Sequence, residues 1–425
     1  MRGARERCAA AALAALGCAV PPPAPARAPE RSEAGARIAE AAPATAAARA
    51  RPTVRRASGK VRVRLTGLDG ASPVHVLGTL HGELVLERRG ALVRSAADRG
   101  ASQGSAEVRL APAPGSRLRA GERSYGGALI VRPRAAGGLE VFCELDLEEY
   151  VEGVVASELA IWSAEGAALE AQAIAARSFA IAQLDSRGRS ASEPTLLDDV
   201  RDQAFRGAHV PDPRSGRAAR EVAARLRAAV RRTRGIVLFE DPRVVDARFH
   251  AACGGATADG AAVFPEADFA CLRSVECAPC RGSLGAARGA SPELDWRWTA
   301  PRFALERLAR ELGLGEHLLR LAPARRDSAG RWLEVRLEGE SGARTIPFEE
   351  LRRRLSRKEL ASSLLVRTWP RAGETIGGGL LFEGRGRGHG VGLCQEGASA
   401  WARAGWSAER ILAHYYPGAA LVDWR

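Results

Sequence analysis

Leu147-Glu148-Glu149-Tyr150-Val151-Glu152-Gly153-Val154-Val155-Ala156-Ser157-Glu158 is followed shortly by Ala168-Leu169-Glu170-Ala171-Gln172-Ala173-Ile174-Ala175-Ala176-Arg177. Helical signal opens at Leu147 and is strongest over residues 164–185, where Leu169, Ala173, Ala176, Phe179 and Ala180 fall on one face at three- and four-residue steps. Before this pair the pattern changes to a period of two. Val61-Arg62-Val63-Arg64-Leu65 alternates apolar and charged residues, and similar short runs recur at 74–77, 83–87, 107–110, 128–131 and 139–143, separated by Gly and Pro. Beyond it, the spacing predicts an Arg-rich helix over 217–233, strands over 235–240 and 244–250, a helix over 302–312, a strand over 332–337 and a polar helix over 347–355. Strands and helices in mixed order indicate an α+β protein on antiparallel strands, with a β-rich segment at 59–123, a main domain over 124–425 and an inserted region at about 296–369.

Composition bounds the class. The 425 residues are 46% hydrophobic and 27% charged, enough to bury a core, and the formal charge of +13 comes almost wholly from arginine, since Lys60 and Lys358 are the only lysines. Arginines are scattered and aromatics are 5%, so no stacking platform or nucleic-acid module is visible, and no nucleic-acid partner is expected. No apolar run reaches the roughly 18 residues of a spanning helix. Arg2, Arg5 and Arg7 precede a short uncharged Ala/Leu-rich run that ends at Cys18, the pattern of an export signal over residues 1–18. Leu13-Ala14-Ala15-Leu16-Gly17-Cys18 resembles a lipoprotein processing site, which makes Cys18 a candidate lipid anchor; an ordinary cleaved signal is the alternative. Residues 19–58, rich in Pro, Ala, Arg and Glu, read as a flexible linker.

Three further stretches stand out: Asp202-Gln203-Ala204-Phe205-Arg206-Gly207; Arg248-Phe249-His250-Ala251-Ala252-Cys253-Gly254-Gly255-Ala256-Thr257; and Gly386-Arg387-Gly388-His389-Gly390-Val391-Gly392-Leu393-Cys394-Gln395-Glu396-Gly397-Ala398, with His414-Tyr415-Tyr416-Pro417-Gly418 close behind. Together, in this order with the opening pair, they resemble the stage II sporulation protein D and amidase-enhancer family of cell-wall proteins. The resemblance implies an exported protein, periplasmic or held at the outer membrane, that acts on peptidoglycan as a lytic transglycosylase on strands stripped of stem peptides. The alternative is a non-catalytic wall-binding activator of an amidase.

The resemblance makes Glu158 the catalytic acid. Lytic cleavage needs one proton donor for the glycosidic oxygen and then a base for the muramic acid C6 hydroxyl, and one carboxyl can serve both steps, unlike the carboxylate pair of ordinary glycosidases. Val154-Val155-Ala156 beside it would raise its pKa by desolvation. Gln172, Gln203, Arg206 and Gln395 are candidate glycan-binding residues. Arg177 either holds a sugar or forms a structural ion pair. His389 either bonds the glycan or supports Glu158. Tyr415 and Tyr416 offer sugar-stacking faces or belong to the core.

The cysteines carry a separate message. Cys277-Ala278-Pro279-Cys280 is a C-x-x-C knuckle, and Cys253 lies upstream. These three are the first-choice ligands of a structural zinc, with Cys271 or His250 as the fourth; a disulfide is the alternative in an oxidising compartment. Two departures from the family pattern bear on this site: Ala256 stands where a histidine is common, and Cys394 where a serine is common. A thiol at 394, five residues from His389, raises the rival possibility of a nucleophilic cysteine.

Overall fold

A computed structural model describes residues 59–79, 82–95, 104–188, 195–208, 216–281 and 295–424. The export signal, Cys18 and the linker lie outside the described residues. The architecture is α+β, with antiparallel sheets predominating.

The alternating stretch at the start forms strand Lys60–Arg64, paired antiparallel with Leu139–Asp146 and parallel with Leu196–Leu197. Its period of two assigns the faces: Val61 and Val63 turn into the core, while Arg62 stays at the surface against Glu144 at 3.4 Å. Ala128–Pro133 and Val108–Leu110 complete this five-stranded sheet, and a second five-stranded sheet (Leu92–Ser95, Gly82–Arg89, Val74–Thr79, Leu118–Ala120, Arg123–Tyr125) shares the same core. The first strand thus belongs to the sheet that carries Leu139–Asp146. The sequence division near residue 123 is not a break between independent sheets.

Helix α1 (Leu147–Glu158) starts where that strand stops. Asp146 caps it by accepting from the Glu148 N–H at 2.8 Å, Glu148 and Glu149 occupy the electropositive first turn, and Tyr150, Val151, Val154 and Val155 bury the face against the sheet. α2 (Gly166–Gly188) is buried on nearly every side, because its many alanines admit neighbours closely. α3 (Gly216–Arg232) covers both helices with an apolar stripe of Ala219, Val222, Ala223, Leu226, Ala229 and Val230. A second core collects the short helices α4 (Gly260–Val263) and α5 (Ala278–Arg281). Residues 295–369 then build a module with its own core around α6 (Arg302–Glu311) and α7 (Phe348–Leu355), packed on the meander Leu318–Arg326, Trp332–Gly339, Gly342–Pro347. The chain returns through Leu380–Arg385, α8 (Gln395–Arg403) and α9 (Ala408–Tyr415), and Ala420–Asp423 pairs with Ile236–Glu240. The single strand expected over 244–250 is two short ones, Arg243–Val244 and Phe249–His250, the second pairing parallel with Leu393–Cys394. No helix among the described residues is long and apolar enough to cross a membrane.

Arg177, offered by the sequence as a sugar ligand, is a structural residue. Its side chain is fully buried in α2, and Nε and Nη2 donate to the two carboxylate oxygens of Glu148 at 2.9 and 2.6 Å, while Nη1 donates to the Ile236 carbonyl at 3.0 Å. The Gly235 N–H adds a bond to the same carboxylate at 3.2 Å. This pair joins the start of α1, the middle of α2 and the strand at 236–240. Removing one member strands the other: Arg177→Met is expected to lower unfolding free energy by about 3–5 kcal/mol in urea titrations. A loss near zero would show that the pair does not hold these elements together.

Candidate active site and thiol centre

Glu158 is the last residue of α1, and its carboxyl is half-buried. It is placed by a close approach rather than by a long-range charge. A Cβ at Gly153 would stand 2.6 Å from the Phe205 ring and 2.7 Å from the Gly207 carbonyl, so only glycine lets α1 lie on the loop at 202–207. Ser157 fastens the contact, donating its hydroxyl to the Gly153 carbonyl at 2.7 Å and accepting from the Arg206 N–H at 3.1 Å. One turn along, the Ala204 N–H donates to Glu158 Oε1 at 2.6 Å. Gln395 lies near enough to the same carboxyl to help hold its pKa down, and its Nε2 donates to Gln172 Oε1 at 3.4 Å.

Burial raises the Glu158 pKa above its ordinary value, opposed by the Ala204 N–H, the Gln395 side chain and the nearby Arg206 charge. Its place at the electronegative end of α1 works in the same sense as burial. The result is a carboxyl that keeps a proton to higher pH than a free glutamate, yet is oriented by the Ala204 N–H.

Of the sequence-derived candidates, Gln172, Arg206 and Gln395 therefore gather at Glu158. Gln172 and Gln395 are buried, Arg206 is exposed, and Gln172 Nε2 has no partner among the described residues. Five others do not gather there. Arg177 is paired with Glu148. Gln203 is buried and donates to the Ala176 carbonyl at 3.2 Å and the Tyr150 hydroxyl at 3.3 Å, fixing its loop to the two helices. Tyr415 and Tyr416 are fully buried; Tyr416 donates to the Arg248 carbonyl at 2.7 Å and Tyr415 lies 3.2 Å from Cys277 Sγ, so neither offers a face to a sugar. His389 is likewise occupied: Nε2 donates to the Phe249 carbonyl at 2.9 Å, Nδ1 accepts from the Val391 N–H at 3.1 Å, and burial beside His250 and Arg248 holds its pKa well down. It is a neutral ring that stitches the glycine-rich segment to the strand at 249–250.

An exposed aromatic close to the acid in sequence is one the sequence reading passed over. Trp162, four residues past Glu158, is 59% exposed, on a turn pinned where Arg225 donates to the Ile161 and Trp162 carbonyls at 2.9 and 3.3 Å. An unburied tryptophan anchored by its backbone was the available signal.

The thiols converge. Cys253, Cys277, Cys280 and Cys394 are fully buried, and their four sulfurs lie within 4.8 Å of one another. Four sulfurs about 2.3 Å from a tetrahedral zinc stand about 3.8 Å apart, so the set is close to that geometry. The Cys280–Cys394 separation is 3.6 Å. Backbone N–H groups of Gly255, Gly397 and Cys253 point at these sulfurs at 3.3–3.4 Å, the arrangement that favours thiolates. The residues present fit a divalent metal with soft ligands. The fourth sulfur of the cluster is that of Cys394, where the sequence reading gave the place to Cys271 or His250. Cys271 lies at Glu240, whose carboxylate accepts its N–H at 2.8 Å and, after burial, raises its thiol pKa. His250 Nδ1 donates to the Val391 carbonyl at 3.1 Å, and burial brings its pKa down to about 3. Cys394 caps α8 through the Gly397 N–H and makes no bond to His389, which removes the nucleophile reading. The signal for this ligand was the pairing of two departures, a histidine lost at 256 and a thiol gained at 394.

Two measurements test the acid's environment. A raised carboxyl pKa means that the folded state binds the proton more tightly, so stability is lost as pH climbs from the unfolded value through the folded one. Glu158→Gln should therefore melt above the wild type at pH 8, with the gap closing below about pH 4, where a free glutamate is itself protonated. An unchanged gap across that range would remove the shift. Gly153→Ala gains about 1 kcal/mol of helix propensity but overpacks by about 1–3 kcal/mol, so net destabilisation is expected, with a lower Glu158 pKa as the loop lifts and water enters.

Comparison with known proteins places these features. The SpoIID family model, described as stage II sporulation protein, matches residues 135–239, which contain α1, α2 and the loop at 202–207. Stage II sporulation protein D of Bacillus amyloliquefaciens is 29% identical over 284 residues, spanning 66% of this chain and 75% of its own length. Its counterpart in Bacillus subtilis is 27% identical over 296 residues, with the same coverage. An uncharacterized protein of Brachyspira hyodysenteriae is 24% identical over 287 residues, spanning 66% of this chain and 68% of its own. With the motifs and their order, these matches show a stage II sporulation protein domain over residues 135–239 and a likeness to stage II sporulation protein D over 66% of the chain.

Proposed function

We propose that this protein is an exported, lipid-anchored lytic transglycosylase that cleaves peptidoglycan glycan strands, with Glu158 as acid and then base and a structural zinc held by Cys253, Cys277, Cys280 and Cys394. The observation that carries the reading is the Glu158 carboxyl: half-buried, raised in pKa, and steered by the Ala204 N–H. In the first step the protonated carboxyl gives its proton to the bridging oxygen as the C1–O bond breaks. In the second the carboxylate takes the proton from the C6 hydroxyl as O6 closes on C1. The carboxyl ends as it began, and no water is consumed. No second carboxylate is among the groups that shift the Glu158 pKa, which supports a one-acid route.

Arg206 supplies an exposed cation for the lactyl carboxylate of a stripped muramic acid, and Trp162 supplies the stacking face that the buried tyrosines do not. Four protein sulfurs complete a tetrahedral shell, so a zinc there is a fixed cross-link among three separate chain segments.

Purified protein incubated with amidase-treated glycan strands should generate 1,6-anhydro-muramic ends. Glu158→Gln should reduce that rate by about 10²–10⁴-fold, and wild-type activity should fall as pH rises through the Glu158 pKa, because the acid must be protonated. Trp162→Ala should raise KM with little change in kcat. Strand binding without new anhydro ends would instead support a wall-binding activator of an amidase. Elemental analysis should find one zinc per chain.

A further inference from the structure

Arg331 presents a charge with no visible partner. It precedes strand Trp332–Gly339 in the module at 295–369, and its side chain is fully buried. Nη2 donates to two carbonyls of the thiol loop, those of Cys253 and of Ala256, the latter at 3.0 Å. Nε and Nη1 have no hydrogen-bond partner among the described residues. The space for the group is made by Gly390, where a Cβ would stand 2.8 Å from the guanidinium carbon. Asp327 Oδ1 accepts the N–H groups of Ala329 and Arg331 at 3.0 and 2.8 Å while its Oδ2 is buried without a hydrogen-bond partner; its charge and that of Glu349 reach Arg331 only from beyond ion-pair distance, and no carboxylate among the described residues forms an ion pair with the guanidinium.

A guanidinium does not shed its proton in a protein, and burying one without a counter-charge costs several kcal/mol. Two carbonyl dipoles offset part of that and leave two donor atoms unspent. Four protonated thiols would add no charge. Four thiolates around a divalent cation carry two net negative charges, and the peptide carbonyl of one ligand, Cys253, is where Arg331 already rests. The four cysteines all lie outside the 295–369 module, whereas Arg331 lies within it.

We propose that the metal–tetrathiolate centre is the counter-ion of Arg331, so that metal loading and seating of the 295–369 module on the thiol loop are one coupled event. This rests on the zinc reading above and extends it: the metal joins not only its own ligands but a module that contributes none of them. Coupling of this kind is reciprocal. The bound metal strengthens the seat of the module, and Arg331 strengthens the hold on the metal.

The test uses the full chain, with zinc bound and after chelation. Arg331→Met keeps much of the packing volume and removes the charge. Expected is a zinc affinity lowered by about 10–100-fold in chelator competition, the range for groups that support metal ligands. Arg331→Lys, which keeps the charge, should recover most of it. Stability should change sign: Arg331→Met melts below wild type when both hold zinc, and at or above it when both are stripped, because the stripped wild type carries an uncompensated buried charge. Stripping zinc from the wild type should also expose the module boundary near residue 370 to limited proteolysis. Equal destabilisation of both forms with unchanged zinc affinity would make Arg331 a packing residue and overturn the proposal. So would an unchanged proteolytic pattern on stripping. If Arg331→Met does not fold, the lysine variant and the wild-type proteolysis decide. A wild type that holds no zinc removes the metal reading itself, an outcome distinct from a zinc protein indifferent to position 331.

Discussion

Helix α1 can rest on the loop at 202–207 only because position 153 carries no side chain, and the candidate acid depends on that contact. With the helix and loop in touch, Ser157 bridges them and the Ala204 N–H reaches Glu158. Separate them, and the carboxyl regains water and loses both its orientation and its raised pKa. The chemistry is thus set by a steric vacancy about one and a half turns away rather than by a strong interaction at the carboxyl. The same loop is fixed from behind by buried Gln203, which explains why a residue of the motif that never faces a ligand belongs to it.

The thiol centre and the acid are joined through adjacent residues. Cys394 is one of the four converging sulfurs, and Gln395, the next residue, donates to Gln172 and helps to hold down the Glu158 pKa. Whatever fixes the sulfurs fixes the start of α8 and so one of the side chains that act on the acid. Arginine shows a related division of labour. Most of its ion pairs lie at the surface, where each contributes about 0–1 kcal/mol, whereas Arg177, Arg331 and Arg352 are buried and bind carbonyls deep in the fold. A charge of +13 therefore says little about a partner.

Much of this was legible in the sequence. Period-two runs gave the strands at 60–64, 74–79 and 139–146, and the alanine-rich face gave α2, because local periodicity reports which side is buried. Glu158, Gln172, Arg206 and Gln395 were named from motif positions alone. What periodicity could not give was the orientation of polar side chains: Arg177, Gln203, His389, Tyr415 and Tyr416 are long or aromatic groups equally suited to a cleft or a core, and partners distant in sequence decided between the two. Cys394 was missed as a fourth ligand because it lies far along the chain from Cys253 and Cys277, and only the parallel pairing of strands at 249–250 and 393–394 brings them together. The strand at 318–326 escaped because bulges and Arg320, Arg325 and Arg326 break its alternation, and that at 365–369 because its pairing carries a register shift.

The strand at 60–64 lies inside a sheet, held on one side by 139–146 and on the other by 196–197, and the strand at 420–423 closes on 236–240. Pairings between segments so far apart are slow to form, since loop closure precedes any gain from contact. A chain emerging in order from its amino end must therefore carry its first strand unpaired until residue 146 has followed, and its 236–240 strand open until the last stretch arrives. Acquisition of the native state is in this sense a late event, governed by release of the whole polypeptide rather than by its separate pieces, and the interval before it is when such edges are open to capture by other chains.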